Sequence, residues 1–318
     1  MNGLQASRAI VMTACAASLA APVDVAQGKP TAAQRPSMYQ TATTFLGSLT
    51  PEQRELASFP FESPERQRWG FASIEQFPRR GLPMHRMSEL QRSRVQALLE
   101  LGLSDRGVEM TAAIMAREAL RRADPLDYYL SIFGTPSPDG TWSWRVEGHD
   151  LSLNFTFLKG SLAASTPSFF GGTLTPEDAA AWTLLKTLDD RQRARALIAR
   201  DAPAEIVTTN TIVALPLPPG GLPVTEMTDG QRELLMQVIR TYTSAMIFDV
   251  AVARMARLRT GGLDRIVFSW AGGMEPGKPH YYRVTGPTFV IEYASGSGDE
   301  AHSVWRDFER DFGRDLLK

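Results

Sequence analysis

The sequence predicts an α+β fold, an antiparallel sheet built from β-hairpins and covered by several helices. Three observations predict it. Residues 142–157 and 265–293 carry runs that alternate apolar and polar side chains at the period of a strand. Four short segments repeat a helix-opening pattern, an apolar residue before Thr, Ser or Asp with Gln three positions later. These helices fall before, between and after the strand groups, which favours α+β over a doubly wound parallel sheet.

The helix-opening pattern occurs at Leu49-Thr50-Pro51-Glu52-Gln53-Arg54, Met87-Ser88-Glu89-Leu90-Gln91-Arg92, Leu188-Asp189-Asp190-Arg191-Gln192-Arg193 and Met227-Thr228-Asp229-Gly230-Gln231-Arg232. It is a capping box with a hydrophobic staple. The intervals between copies look irregular, so helix starts explain the pattern better than a repeated binding motif. Helices are expected at about 51–57 and at 89–101, where Val95, Leu98 and Leu99 share a face and Gly102 is the stop. A third follows Ser104 and ends before Pro125. A fourth starts at Thr175-Pro176 and carries Trp182 and Leu185. A fifth runs from Asp229 through Ile239, with apolar helical spacing continuing toward Arg257.

Residues 142–157 read as a half-buried hairpin turning at Gly148-His149. That turn sets Val146 opposite Leu151, Trp144 opposite Leu153 and Trp142 opposite Phe155, with Arg145 facing Ser152 and Ser143 facing Asn154. Trp142, Trp144, Trp270 and Trp305 suit either a sugar-stacking platform or a core, and the alternation with polar residues favours the core. Further strands are expected at 265–270, 280–285 and 288–293, with a tight turn at Gly286-Pro287. Glu292 then shares a face with Tyr281, Arg283 and Thr288. His280 shares the other with Tyr282, Phe289 and Ile291. A diagonal Glu292–Arg283 ion pair is the purely structural expectation for that face. The Pro/Gly-rich segment 216–224 reads as a surface loop.

The chain has 318 residues, 43% hydrophobic and 22% charged, with a net charge of -1. A globular core is expected, and there is no basic excess to attract nucleic acid. No run is long and apolar enough for a membrane span. Arg8 is followed by an Ala-rich apolar stretch without charge until Asp24. Residues 1–20 therefore read as a secretory signal cleaved after Ala20, residues 21–37 as a flexible lead-in and residues 38–318 as a single globular domain. A periplasmic or secreted protein is expected. Met12-Thr13-Ala14-Cys15 also loosely matches a lipid-anchor box. Cys15 is the only cysteine. A chain cleaved after Ala20 has no thiol nucleophile, Cys-based zinc site or Fe–S cluster.

Familiar catalytic motifs are missing. Residues 272–279 approach a phosphate loop, but Pro279 stands where Ser or Thr must hold magnesium, and a strand follows. Neither Gly-x-Ser-x-Gly nor His-Glu-x-x-His occurs. Three of the four histidines are the candidates: His149 at the first hairpin turn, His280 at a strand start, and His302 in a C-terminal stretch where a helix would place it one turn ahead of Trp305 and Arg306. His85 falls in a loop. His149, His280 and His302 form the candidate metal set, for zinc or copper, with Tyr281, Glu147 or Asp150 near its rim. Without metal, His149, His280, Tyr281, Glu292 and Arg283 form a candidate acid/base pocket. Strand-end hydrogen bonding accounts for the same residues structurally.

Several long stretches resemble the domain-of-unknown-function 3500 family of bacterial and fungal proteins. They are "FPFESPERQRWGF" (59–71), "RGLPMHRMSELQR" (80–92), "YYLSIFGTPSPDGTWSWRVEGHDLSLNFTF" (128–157), "PHYYRVTGPTFVIEY" (279–293) and "HSVWRDFERDFGRDLL" (302–317). The resemblance implies no established reaction, and many members look exported. Where members often read Gly-His-His, this chain reads Gly148-His149-Asp150, so a family histidine cluster would have fewer ligands here. The leading expectation is an exported protein with a polar His/Tyr/Glu/Arg pocket, a metal-dependent hydrolase or oxidoreductase acting on a small molecule. A periplasmic binding protein without turnover and a structural or interaction protein are the alternatives.

Overall fold

The computed structural model describes residues 36–121, 127–275, 277–295 and 300–317. The expected signal segment and nearly all of the lead-in lie outside these residues, as does the expected helix end before Pro125. The fold is α+β. Its first half contains α1 (Met38–Gly47), α2 (Pro51–Ala57), β1 (Ser58–Phe59), β2 (Leu82–Pro83), α3 (Glu89–Gly102), α4 (Asp105–Arg121), β3 (Tyr129–Phe133), β4 (Thr141–Gly148), β5 (Leu151–Leu158), β6 (Ser161–Ala164) and β7 (Ser168–Gly172). The second contains α5 (Thr175–Thr187), α6 (Asp190–Ala196), β8 (Leu197–Ala199), β9 (Leu222–Pro223), α7 (Asp229–Thr243), α8 (Phe248–Gly261), β10 (Val267–Gly272), β11 (His280–Thr285), β12 (Phe289–Ser295) and β13 (Ala301–Asp307).

The two halves have the same plan. The main sheet runs β1-β3-β4-β5-β7-β13-β12-β11-β10-β8, an order that reads alike from either edge when β1 is matched with β8, β3 with β10, β4 with β11, β5 with β12 and β7 with β13. β2 and β9 pair with β3 and β10 respectively, and β6 is an addition to the first half. A pseudo-two-fold axis passes between β7 and β13. It also relates α4 to α8, whose entry residues Leu103 and Met246 bridge to each other.

The four capping boxes are where this duplication is legible in the sequence. Thr50, Ser88, Asp189 and Thr228 each cap their helix and receive a glutamine in return. The boxes then lock in pairs. Gln53 Nε2 donates to Gln91 Oε1 (3.2 Å), and Gln91 Nε2 donates to Gln53 Oε1 (2.9 Å) and to the Ser48 carbonyl (2.8 Å). Gln192 and Gln231 do the same, at 2.8 and 2.9 Å, with Gln231 reaching the Thr187 carbonyl at 2.9 Å. The paired glutamines are 38 residues apart in one half and 39 in the other. The spacing is thus regular once the boxes are taken two by two. A fifth box, Ser37 with Gln40, opens α1.

Trp142, Trp144, Val146, Leu151, Leu153 and Phe155 enter one core under the helices, as the alternation predicts. Trp144 stacks on Phe155 with centroids 4.3 Å apart. Three expectations need correction. The first hairpin turns at His149-Asp150, so Val146 faces Leu153 and Trp144 faces Phe155, two residues from the expected register. Asp150 takes φ 60°, which its short polar side chain tolerates. The second hairpin shifts in the same way, with Arg283 opposite Glu292 and Thr285 opposite Val290. A slip of two leaves every side chain on its expected face. Second, the ribbon is buried on both faces. Ser143, Arg145, Glu147, Ser152, Asn154 and Thr156 lie beneath irregular chain instead of facing water. Third, α7 ends at Thr243 and a new helix, α8, starts at Phe248, because the intervening Met246 pairs with Leu103.

Irregular chain can cover a polar face because its carbonyls satisfy buried donors. Arg145 donates to the carbonyls of Glu65 (2.9 Å) and Arg68 (2.7 Å), and to the Glu65 carboxylate (2.8 Å). Arg306 donates to the Thr211 carbonyl (2.7 Å) and to Asp311 (2.7 Å).

The paired carboxamides predict a measurable coupling. Gln231→Ala removes a helix cap and strands Gln192 and the Thr187 carbonyl, and it should lower urea-unfolding stability by about 1–3 kcal/mol. Gln192→Ala combined with Gln231→Ala should cost less than the sum of the single changes. Additive losses would show that the two boxes act separately.

Candidate functional site

At one end of the sheet, five titratable side chains from four segments meet in a row. α4 brings Glu118, the β4–β5 turn brings His149 and Asp150, β13 brings His302, and the loop after β8 brings Glu205. Glu118 Oε2 lies 2.8 Å from His149 Nδ1, which is 3.8 Å from Asp150 Oδ2. Asp150 Oδ1 lies 3.1 Å from His302 Nε2, and His302 Nδ1 is 2.6 Å from Glu205 Oε2.

The backbone fixes this row. Asp150 N donates to the Phe71 carbonyl (2.9 Å), Gly171 N donates to the Asp150 carbonyl (2.7 Å), and Tyr128 Oη donates to the His149 carbonyl (3.1 Å). Gly171 is needed here, since a Cβ at that position would come within 2.7 Å of Asp150 Cβ and push it off His302. The His302 ring packs edge-on against Phe71 and Phe169, at 5.5 and 5.4 Å.

Burial opposes the charge on His302, yet the hydrogen bonds and charges of Asp150 and Glu205 outweigh it and raise its pKa to about 9. Burial likewise opposes the Asp150 carboxylate, but the hydrogen bond from His302 and the charges of His149 and His302 hold its pKa below the ordinary aspartate value. Both nitrogens of His302 face carboxylates, so its ring positions Asp150. His149 differs, being anchored through Nδ1 alone among these contacts and partly exposed.

Glu118, His149 and Asp150 each place a ligand atom within 4.8 Å of the other two, so this group could hold a metal ion. Asp150 Oδ2 is buried, with no hydrogen-bond donor among the described residues, and it points toward His149. One imidazole and two carboxylates suit zinc, manganese or iron(II) better than a soft ion, and three protein ligands leave positions open for water.

The structure does not gather all the sequence candidates. His149 and His302 meet through Asp150, and His302 does so from a strand, not from the helix considered for that stretch. His280 projects from the helix-covered face. It stacks on Trp270 at 4.8 Å, with Nε2 2.8 Å from Asp178 and Nδ1 3.0 Å from the Lys278 carbonyl. It lines a cleft of about 440 Å³ together with Asp178, Tyr293 and Glu300. Alternation along β11 and β13 sets His280 and His302 on opposite faces, so the three imidazoles share no point. Tyr281, Arg283 and Glu292 lie on the loop-covered face. Glu292 accepts from Val207 N (2.6 Å), from Thr208 N and Oγ1, and from Tyr281 Oη (2.8 Å). Arg283 donates to the Pro218 carbonyl (2.5 Å) instead of forming the expected diagonal pair. Burial, followed by the neighbouring Glu292 charge, pushes the Tyr281 hydroxyl far above its usual pKa. Glu147 turns away from His149 to Arg145 at 2.8 Å. The Glu292 and Arg283 contacts fasten Val207, Thr208 and Pro218 to the sheet.

Glu118 and Glu205 were missed. Glu118 carried a readable signal, because it falls on the face of α4 that buries Thr111 and Ile114, where an acid needs a partner supplied by the fold. Glu205 had none, since only the tertiary fold brings its loop to β13.

The sequence profile described as "Protein of unknown function (DUF3500)" matches residues 31–314. The chain belongs to the DUF3500 family. No curated protein and no solved structure gives a significant match to it. Family membership leaves the row of acids and imidazoles to be interpreted from its own geometry.

The His302 contacts predict a pH dependence. A raised folded-state pKa gives stability that is complete below the unfolded value near 6.5 and is lost as pH rises through about 9. Metal-free protein should lose as much as ~3 kcal/mol across that window. His302→Asn should flatten the profile in chemical denaturation, and an unchanged slope in that variant would show that His302 is not the group responsible.

Proposed function

We propose that Glu118, His149 and Asp150 bind a divalent transition-metal ion, and that this DUF3500 protein is an exported metal-dependent hydrolase acting on a small polar molecule. One observation carries the reading: the duplicated half builds the same corner without these groups. Gly148 and Gly286 both precede two-residue turns, so His149-Asp150 corresponds to Pro287-Thr288. Counted from the first residue of each helix, Glu118 corresponds to Gly261, the last residue of α8. Gly261 also lies against Pro287, with 3.9 Å between its would-be Cβ and the proline ring. The scaffold therefore folds at this corner with Gly, Pro and Thr. Two buried carboxylates beside an imidazole are not something it requires, and a bound cation would offset the cost of burying them together.

The chemistry follows from the donor set. A bound ion with open positions lowers the pKa of its water and supplies a nucleophile near neutral pH. The His302–Glu205 pair holds Asp150 in its ligating orientation, as hydrogen-bonded outer groups do for metal ligands. Substrate access is available nearby, since Glu300 approaches Asp150 and also lines the cleft of about 440 Å³ beside Asp178 and His280. Export rests on the sequence of the first 20 residues.

Titration calorimetry with zinc and manganese tests the site. The protein should bind about one ion, and Glu118→Gln and His149→Ala should each weaken binding at least ~10-fold. Saturating metal should raise the thermal midpoint by mass action. Absence of binding near neutral pH, or full affinity in both variants, removes the metal reading. Intact mass of protein exported by a bacterial host should place the N-terminus near Ala21, and a full-length product would remove the export reading.

A further inference from the structure

The opposite end of the duplicated scaffold carries a second cleft of about 440 Å³, formed by α8, β6 with the chain after it, and the chain after β13. The geometry points to a binding site for a small amphiphilic anion, a carboxylate on a short alkyl chain, with the headgroup on Arg254, Arg257 and Arg310 and the chain along Leu162 and Val250. This site is independent of the metal reading.

Three observations support it. The first is charge. Arg254 Nη1 and Arg257 Nη1 both donate to one carboxylate oxygen, Asp307 Oδ2, at 3.0 and 2.6 Å. Asp307 Oδ1 is already occupied by the backbone N–H groups of Glu309 (3.2 Å) and Arg310 (2.8 Å). Two guanidinium groups thus share one buried carboxylate, and Arg310 Nε is paired with Asp315 at 3.0 Å on the same wall. Two further carboxylates are exposed, Glu309 at 3.7 Å from Arg257 and Asp249 in the first turn of α8, where it lines the cleft; neither takes the guanidinium N–H groups that Asp307 leaves over. Guanidinium donors left over from Asp307 match a second carboxylate.

The second is an orphan donor. Ser165 Oγ lines the cleft, is buried and has no hydrogen-bond partner among the described residues. A buried hydroxyl is costly without a partner, and a bound carboxylate oxygen would supply one.

The third is the duplication. Counting along the paired helices, Arg254 and Arg257 stand where α4 has Thr111 and Ile114. By strand register, Asp307 stands where β7 has Phe170. The scaffold fills these positions in its other half with a small polar and two apolar residues. The arginines are therefore specific to this end, and the fold does not impose them.

Thermal shift and calorimetry with octanoate, butyrate and octylamine test the assignment on the protein as it stands. Octanoate should raise the melting temperature, butyrate should bind more weakly, and octylamine should have no effect. Two substitutions at accessible lining positions separate binding from folding. Ala253→Glu places a carboxylate in the cleft, and Arg310→Gln removes one cation. Each should weaken octanoate binding at least ten-fold while leaving the far-UV spectrum unchanged. The proposal is overturned if octanoate does not bind, if octylamine stabilises equally, or if octanoate binds both variants as it binds the parent. Should one variant fail to fold, the other with the octylamine comparison decides.

Discussion

β7 and β13 pair antiparallel along five residue pairs, from Ala301 opposite Gly172 to Trp305 opposite Ser168, and this one ladder joins two similar half-sheets. Without it, each half would end in an open edge strand with unpaired backbone groups. With it, the edges of the main sheet fall to the short strands β1 and β8, of two and three residues. The ladder also decides what can meet. It brings His302 of the second half beside Gly171 of the first, and the missing side chain at Gly171 lets Asp150 cross to the imidazole. A candidate site drawing on both halves exists only because the halves are paired in this register.

The sheet is buried on both faces, and the two faces solve the burial problem differently. Under the helices, Trp, Phe, Leu and Val interdigitate, with ring pairs such as Trp142 on Phe157 at 4.6 Å. Beneath the loops, buried arginines serve as bolts. Arg145 and Arg283 occupy corresponding positions in the two hairpins, and each donates to carbonyls of the loop above it. Glu292, opposite Arg283, accepts backbone N–H groups of the same loop, whereas its counterpart Asn154 donates to the Pro167 carbonyl at 3.0 Å. One duplicated position thus ties the cover down as an acceptor in one half and as a donor in the other.

Local chemistry was readable from the sequence because it has local causes. A capping box needs only four residues, and strand alternation fixes which face a side chain takes even when the turn is misplaced by a residue at each end. The turn positions were misread because Gly148 and Gly286 look like turn residues, while the turns fall one position later, at His149-Asp150 and Pro287-Thr288. The helix considered at His302 does not form: aromatic and charged residues at 302–317 suit a helix, whereas pairing with β12 and β7 draws residues 302–307 into the sheet. Convergence of Glu118, His149, Asp150, His302 and Glu205 spans nearly two hundred residues of sequence and has no local cause. The clearest sequence clue was an acid on the buried face of α4.

Duplication supplies an internal comparison that a single fold lacks. Each half shows what the scaffold needs at a given corner, and the differences show what was added to it. At one end the additions are carboxylates and imidazoles around Asp150. At the other they are arginines around Asp307. Both acids are 1% exposed, and each meets cationic side chains from neighbouring elements, His302 in one case and Arg254 with Arg257 in the other. The two arrangements differ in what they leave over. Asp150 keeps one oxygen without a hydrogen-bond donor among the described residues, while both Asp307 oxygens are engaged and two guanidinium groups share one of them. One repeated scaffold thus carries two different buried-acid arrangements, an aspartate met by imidazoles at one end and an aspartate shared by two arginines at the other.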